Sequence, residues 1–510
     1  MIRTRFIFLF SILLLSFLLG AGMILSGDFF YLYDQARDFL LARDVVDNHT
    51  LMLIGNRSGL GGFFHGPLWI YILAPVYFVG RGNPLVFSYF YIFLQLITVL
   101  VSYLVGSRLY GPKGGIIISF LIAFSPAVWG YVPNTVSVNI EPLVYLLLFY
   151  FLVKFWRGQL NSFIPAAFLA GLALQFETSS SLVLIPAMIS IFILNKKAIK
   201  NLKLILFSIF SFTLSILTFI LFDLRHKFLM TNSILRAISG GEREKGYLEF
   251  GDRFVSHVNS LAATYKGILF SQTGLLTVIL AVIFIFGAIL ILKDKNHARR
   301  NEFIFLLLFP VLIFGIFMLY PYTVWPEYVF GLLVPVAFAL FLAITSVWKN
   351  IFGKALVILF FIITFFNAIM FIQKQYFQKY PQDSSAGSYI NQEQVVEWIF
   401  KDAGEGKFGY FVYTSEIFTH GMDYLISWYG KKHPDTVMES RKNKVTYLIL
   451  YPHMENDKGA YDFWKKNTLK TNGSVIDSKT FRGGIIVEKL LIGENEQDVN
   501  PNYYQGLIFR

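Results

Sequence analysis

Cysteine is absent from all 510 residues, and charged residues make up only 15% of the chain. The first absence removes disulfides, thiolate metal sites and cysteine nucleophiles together. The second argues against a soluble globular fold, because a water-exposed surface on a chain of this length needs far more charge. Also missing are a Walker loop, a dinucleotide-type glycine fingerprint at a strand-to-helix turn, an HExxH helix and a GxSxG elbow. Nucleotide-driven and hydrolytic chemistry therefore have no support. No internal repeat or low-complexity linker is visible, so inverted-repeat transporter architecture has none either.

What the chain has instead is apolar and aromatic residues: 55% hydrophobic, with 55 Phe, 28 Tyr and 8 Trp, and a mean hydropathy of +0.57. This composition predicts an α-helical polytopic membrane protein, with rings facing lipid or lying at headgroup level. Apolar runs of about 17 to 25 residues predict eleven spans: 6–26, 84–106, 114–131, 140–156, 160–176, 180–194, 204–222, 273–292, 303–320, 327–347 and 354–373. The first reads as an uncleaved anchor rather than a signal peptide, on its length. The shorter run from Pro67 to Val79, with Trp69, Tyr71 and Tyr77, reads as a helix lying in the interface.

The net charge of +12 and pI near 9.4 would suggest nucleic acid in a soluble protein. Here alternate connections carry 16 Lys and Arg against two acids, Asp294 and Glu302, whereas residues 27–83 mix five Asp with four Arg. That asymmetry is the positive-inside pattern. It predicts a cytoplasmic N-terminus, an integral plasma (inner) membrane location and no nucleic-acid partner.

Two segments outside the spans are long enough to carry structure. Residues 223–272 form a second large external loop, broken at Gly240-Gly241. Residues 374–510 carry 17 basic and 17 acidic residues and predict a small extracytoplasmic α/β domain: helices at 391–403, 418–429 and 459–468, strands at 408–413, 445–452 and 484–490.

Ionisable residues inside spans default to function, and between the caps of these helices there are almost none. Transport loses support accordingly. The acids Glu141 and Glu177 sit at the outer ends of spans, and Glu177 in QFETSSS reads first as a cap of the next helix. The first external loop is the richer region. Asp34 and Asp38 are four apart on one helix face with Arg37 beside them, and Gly59, Gly61 and Gly62 precede His65. By itself the triplet reads as a solvated helix with an internal ion pair, and His65 as a turn residue. Three N-x-Ser/Thr matches, at Asn48, Asn56 and Asn472, are no more than chance supplies.

The order of these pieces resembles the GT-C membrane glycosyltransferases, among them the protein O-mannosyltransferases and lipid A aminoarabinose transferases. The matching segments are DQARD (34–38), FFHGPLWIYILAP (63–75), SRLYGPKGGIIISFLIAFSPAV (107–128), NIEPLVYLLLFYFL (139–152), LALQFETSSSLVLIP (172–186) and PEYVFGLLVP (326–335). The resemblance covers residues 1–373 and implies a GT-C-like transmembrane domain. It places the family's first-loop acid, the proposed general base, on Asp34. The second acid falls on Glu141; at the tenth span the family's His position is Glu327 here while the following Tyr is matched by Tyr328, and His65 sits in the matched His-x-Pro-Leu segment.

The chemistry is consistent with one such carboxylate. A sugar on a polyprenyl phosphate has a leaving group that departs as an anion, so no second carboxylic acid is needed to protonate it. Asp34 takes the acceptor hydroxyl's proton while the oxygen attacks C1 from the face opposite the phosphate, inverting the anomeric centre. Cations offset the departing charge. The candidates are Arg37, Arg57, His65, Arg225, His226, Arg243 and Lys245, or a divalent metal ion held by Asp34 and Glu141. The expected partners are a polyprenyl-phosphate sugar and a glycan, lipid or protein acceptor, within membrane lipid. The competing readings are a polymerase or ligase of surface polysaccharide, a transporter or flippase of a lipid-linked glycan, and a scaffold working through its tail.

Overall fold

The structure is a computed structural model and describes residues 2–58, 63–129, 135–238, 247–268, 274–377, 385–414, 418–452, 458–493 and 496–499. In the peripheral helices of the membrane part, one side packs on neighbours and the other stays apolar and exposed, as lipid requires, whereas the helix Leu333–Val347 is buried nearly all round. The helix Gly274–Leu292 shows the pattern. Leu276, Ile279, Leu280, Ile283, Gly287 and Ile291 are buried, while Leu275, Val278, Val282, Ile285 and Ile289 are exposed.

Besides short turns and the helices Pro126–Trp129, Lys196–Ile199, Leu229–Ile238 and Phe250–Ile268, the elements before the tail are, in chain order, α1 (Ile2–Leu25), α2 (Tyr33–Asp47), α3 (Leu68–Gly80), α4 (Pro84–Ala123), α5 (Glu141–Trp156), α6 (Phe163–Leu174), α7 (Thr178–Leu194), α8 (Leu202–Ser215), α9 (Leu217–Arg225), α10 (Gly274–Leu292), α11 (His297–Phe317), α12 (Leu333–Val347) and α13 (Ile351–Phe377). Among the described residues seven helices are long and apolar enough to cross a bilayer, or eight if α8 and α9, bent by 65°, make one crossing. The protein is an integral membrane protein.

Two further predicted crossings are the shorter apolar helices α6 and α7, and α4 holds two in one continuous assignment. At Gly111 the backbone turns left-handed (φ 80°) and the helix reverses. Gly106 lies so close to Gly114 and Gly115 that a Cβ on it would sit 3.0 Å from each, which a straight helix forbids. All eleven predicted spans thus correspond to helices. The third stops at Ala123 rather than 131, where Ser125 before Pro126 disfavours the helical backbone. At 13 residues α3 is about 20 Å long and falls in the same class of shorter apolar helices as α6 and α7.

The tail is an α/β unit. Its helices α14 (Tyr389–Ala403) and α15 (His420–Lys432) accompany a five-stranded sheet of order β2-β1-β3-β5-β4. The strands are β1 (Gly406–Tyr413), β2 (Thr436–Glu439), β3 (Val445–Leu450), β4 (Ser474–Thr480) and β5 (Ile486–Leu491). β1 pairs in parallel with β2 and β3, whereas β5 runs antiparallel to β3 and β4 to β5. The three predicted helices, the third at Lys458–Trp464, and the three predicted strands are present; β2 and β4 are additions.

The tail docks on the first loop. Tyr31 N–H donates to Gly387 O, Tyr389 N–H to Phe29 O and Ile390 N–H to Gly27 O. Farther along, Arg43 donates to Ser427 Oγ, Lys431 pairs with Asp47, and Tyr424 Oη donates to Gly82 O at 2.6 Å. The first loop and the tail therefore share one face of the molecule. At the other end a clasp joins three helices: Arg157 binds Glu302 in two-pronged fashion (2.7 and 3.0 Å), and Tyr110 Oη donates to the same carboxylate at 2.7 Å.

Candidate functional site

Asp34 lies in the first turn of α2, and its side chain is 38% exposed. Arg37, one turn on, donates from Nη1 to Asp34 Oδ1 at 2.5 Å. The other edge of the same guanidinium donates from Nε and Nη2 to Asp38 Oδ1 at 3.1 and 3.0 Å. Asp38 is wholly buried and takes a further hydrogen bond from Trp69 Nε1 of α3 at 3.1 Å. Helical spacing thus places two carboxylates around one arginine, but with unequal surroundings. Burial pushes Asp38 up to about 6 even against Arg37. The ion pair expected from sequence is present, and it is not a solvated one: Arg37 is held from both edges, so it positions Asp34 rather than standing free for a phosphate.

His65 is brought beside this group by a short antiparallel bridge between Arg57 and Phe64, with His65 N–H donating to Asn56 O and Gly55 N–H to His65 O. The imidazole is buried and its Nδ1 accepts the Thr178 N–H at 3.2 Å, one of the orphan amides at the start of α7. That bond leaves the proton on Nε2. Burial lowers the His65 pKa, Glu177 opposes the shift, and Arg37 adds to it, so the ring is held in its neutral form. Gly66 is required next to it: a Cβ there would lie 1.9 Å from Gln175 Oε1 and 2.7 Å from Gln175 Cα.

The second acid sits deeper. Glu141 heads α5, is fully buried and accepts from Ser180 Oγ at 2.5 Å. Gly331 approaches it from the turn Pro326–Leu332, where a Cβ would strike the Tyr145 ring at 2.5 Å. Glu177 caps α7 by accepting the Ser179 N–H at 3.0 Å, as its sequence context suggests. Its charge is felt by both His65 and Glu141. Asp34 and Glu141 therefore belong to one electrostatic neighbourhood, Asp34–Arg37–His65–Glu177–Glu141, but no direct contact joins the two acids. Each has its own partner, Arg37 for one and Ser180 for the other.

The remaining candidates divide. Arg57 is exposed at the rim of the bridge. Tyr328 is half-buried with its ring edge-on to Tyr320, centroids 6.5 Å apart. Arg225 is exposed, and His226 is turned inward on Phe222, with Nδ1 2.8 Å from Phe222 O. Arg243, Lys245, Gly59, Gly61 and Gly62 lie outside the described residues. Among the described residues no three His, Asp or Glu side chains gather as a metal-ligand set. Asp34 and Glu141 do not fit a shared metal ion, and no step below is routed through one.

Three residues were not identified from sequence: Asp38 as the buried anchor, Ser180 as the partner of Glu141, and His420. The last comes from α15 of the tail. It is 1% exposed, stacks on Phe418 at 5.0 Å, and neither ring nitrogen has a partner among the described residues. Burial, and next Arg37, push it down to about 4, with Asp34 opposing. The tail thus reaches the first-loop acid.

No family model matches this chain, and no curated protein matches it. Solved structures do. ArnT from Cupriavidus metallidurans bound to undecaprenyl phosphate superposes with a TM-score of 0.57 at 10% identity, over 95% of this chain and 97% of that one. Its apo state gives 0.55 at 11% identity, over 92% and 96%. The Archaeoglobus fulgidus oligosaccharyltransferase in complex with Zn and sulfate gives 0.52 at 14% identity, over 90% and 69%. At such identities the likeness is one of fold, and the fold is of the GT-C type.

Proposed function

We propose that this protein transfers a sugar from a polyprenyl-phosphate donor to a hydroxyl acceptor, with inversion, at the face that carries the first loop. The observation that carries the reading is the Asp34 carboxylate. It is accessible, aimed by Arg37, which is itself locked by buried Asp38, and it has the neutral His65 nearby. The matched fold includes a protein whose structure was solved with undecaprenyl phosphate.

Each residue has a task. Asp34, with Oδ1 bound to Arg37, uses Oδ2 to take the acceptor proton as the hydroxyl oxygen bonds to C1. The C1–O bond to phosphate breaks on the opposite face, and its electrons leave on the phosphate. His65 Nε2–H and exposed Arg57 offset that charge. Tyr328 contacts substrate from the turn beside Gly331. Glu141 holds the heads of α5 and α7 together through Ser180, and so keeps the Glu177–His65 edge in place. The face is proposed to be extracytoplasmic, as the distribution of Lys and Arg implies, with the chain in the plasma (inner) membrane.

The test is incubation of the purified protein with a panel of radiolabelled polyprenyl-phosphate sugars, with mass analysis of the product and its anomeric configuration. Asp34→Asn is expected to lower the transfer rate by about 100-fold or more while the protein keeps its thermal stability. Near-normal transfer by that variant would remove Asp34 as the base.

A further inference from the structure

A cleft of about 650 Å³ opens at the junction of α3, the C-terminal end of α2 and the tail helix α15, lined by Asp47, Tyr77, Arg81, Trp428, Lys431 and Lys432 among others. It is separate from the site above. Asp47 closes α2 and Asp34 begins it, which at 1.5 Å per residue puts the two about 20 Å apart.

The cleft is cationic. Three basic side chains line it against one carboxylate. The Lys431 ammonium is held between Asp47 and the Tyr77 hydroxyl. Lys432 lies 3.4 Å over the Trp428 ring. The acid that faces Lys432 from α14, Glu393, lies outside the cleft and is engaged by Tyr389. Arg81 is exposed, and its guanidinium has no partner among the described residues. The turn that presents it is fixed. Arg81 is left-handed (φ 49°), and Gly82 after it is pinned by the hydrogen bond from Tyr424.

Depth distinguishes this cleft from a surface patch. α4 enters the membrane at Pro84, so the Arg81–Asn83 turn is at headgroup level. Beside the turn, Phe78 and Val79 are 71% and 78% exposed. Below it Tyr89, Phe93, Leu100 and Leu104 are exposed along α4. Those four fall within about 60° on a helix of 3.6 residues per turn, so they form one stripe on the helix that begins beside the cleft-lining Asn83. A charged pocket at the interface above an apolar track is complementary to one molecule with an anionic head and acyl chains.

We propose that this cleft binds the phosphate of an anionic lipid, with Arg81 and Lys432 as the contacts and the Tyr89–Leu104 stripe against its chains. Full-length protein in detergent micelles is titrated with phosphatidylglycerol or phosphatidylcholine and read by native mass spectrometry. In parallel, inorganic phosphate, glycerol 3-phosphate and phosphatidylglycerol are compared by thermal shift. The wild type is expected to retain phosphatidylglycerol about ten-fold over phosphatidylcholine, with no comparable stabilisation by the soluble phosphates.

Arg81→Asn combined with Lys432→Gln is expected to abolish that preference, and Lys466→Gln to leave it intact. Asparagine suits the left-handed backbone at position 81, so the change removes charge without straining the turn. Equal retention of the two lipids by the wild type overturns the proposal whatever the variants do. An unchanged preference in the double variant also overturns it. Stabilisation by glycerol 3-phosphate equal to that by phosphatidylglycerol would make the cleft a soluble-phosphate site instead.

Discussion

Two carboxylates four residues apart on α2 end up with different chemistry because one is covered by Trp69 of α3 and the other stays partly open to solvent. Asp38 is wholly buried and Asp34 is 38% exposed, although Arg37 touches both. The sequence spacing revealed the pair; the inequality follows from Trp69, 31 positions away, which buries Asp38. A pH dependence follows. Asp38 titrates at about 6, above its usual 3.8. Below that pH it becomes neutral, and the whole Arg37 charge then falls on Asp34, which weakens Asp34 as a base. Transfer is expected to rise with pH through about 6. Asp38→Asn should give a low rate without that limb, measured as kcat against pH. Stability behaves oppositely. A raised folded-state pKa contributes stability that is present in acid and lost as pH rises through 6, so acidification over this range should not unfold the protein on account of Asp38.

Among the elements, the hairpin inside α4 shows how glycine spacing sets geometry. Gly106 on one arm meets Gly114 and Gly115 on the other, and a Cβ at Gly115 would lie 2.6 Å from Tyr103 O, a backbone atom that cannot turn aside. Gly115→Ala is expected to force the arms apart and destabilise the protein by about 1–3 kcal/mol, read as a lower melting temperature in detergent. Apolar length was enough to find the helices from sequence, and the basic residues grouped their ends as the Arg157–Glu302–Tyr110 clasp does. In the tail the near-continuous apolar runs in GKFGYFVY and VTYLIL mark central strands buried on both faces. β4 escaped because all of its residues, SVIDSKT, are exposed and lack an apolar face, and β2 because it is four residues long. Both are edge strands of the sheet, and strands covered on so little of their surface leave a weak pattern.

For the whole molecule, the candidate site is shared between two parts of the chain. His420 and its ring neighbour Phe418, which leans on Tyr33 at 6.0 Å, bring the tail over the head of α2. Nothing local marks His420, since its surroundings come from residues hundreds of positions earlier. Its pKa is pushed down to about 4 from the ordinary 6.5. For a group depressed in this way the unfolded chain binds the proton more readily, so stability is complete above 6.5 and falls as pH drops toward 4. His420→Phe is expected to narrow the fall in melting temperature between pH 7 and pH 5 relative to wild type. A variant that loses as much as wild type would show that the histidine is not buried against Arg37.

The tail's grip on the first loop also bears on how the protein is made. Arg43 and its partner Ser427 are 384 residues apart. At about 5–20 residues per second, a ribosome needs roughly 20–80 s between making one and the other. For that interval α2 waits at the membrane surface without α15, whose Tyr424 packs on Phe39, in a nascent chain whose spans are already inserting. A stalled or truncated product would present this helix bare, with an apolar stripe open to whatever chaperone or protease patrols that side of the bilayer.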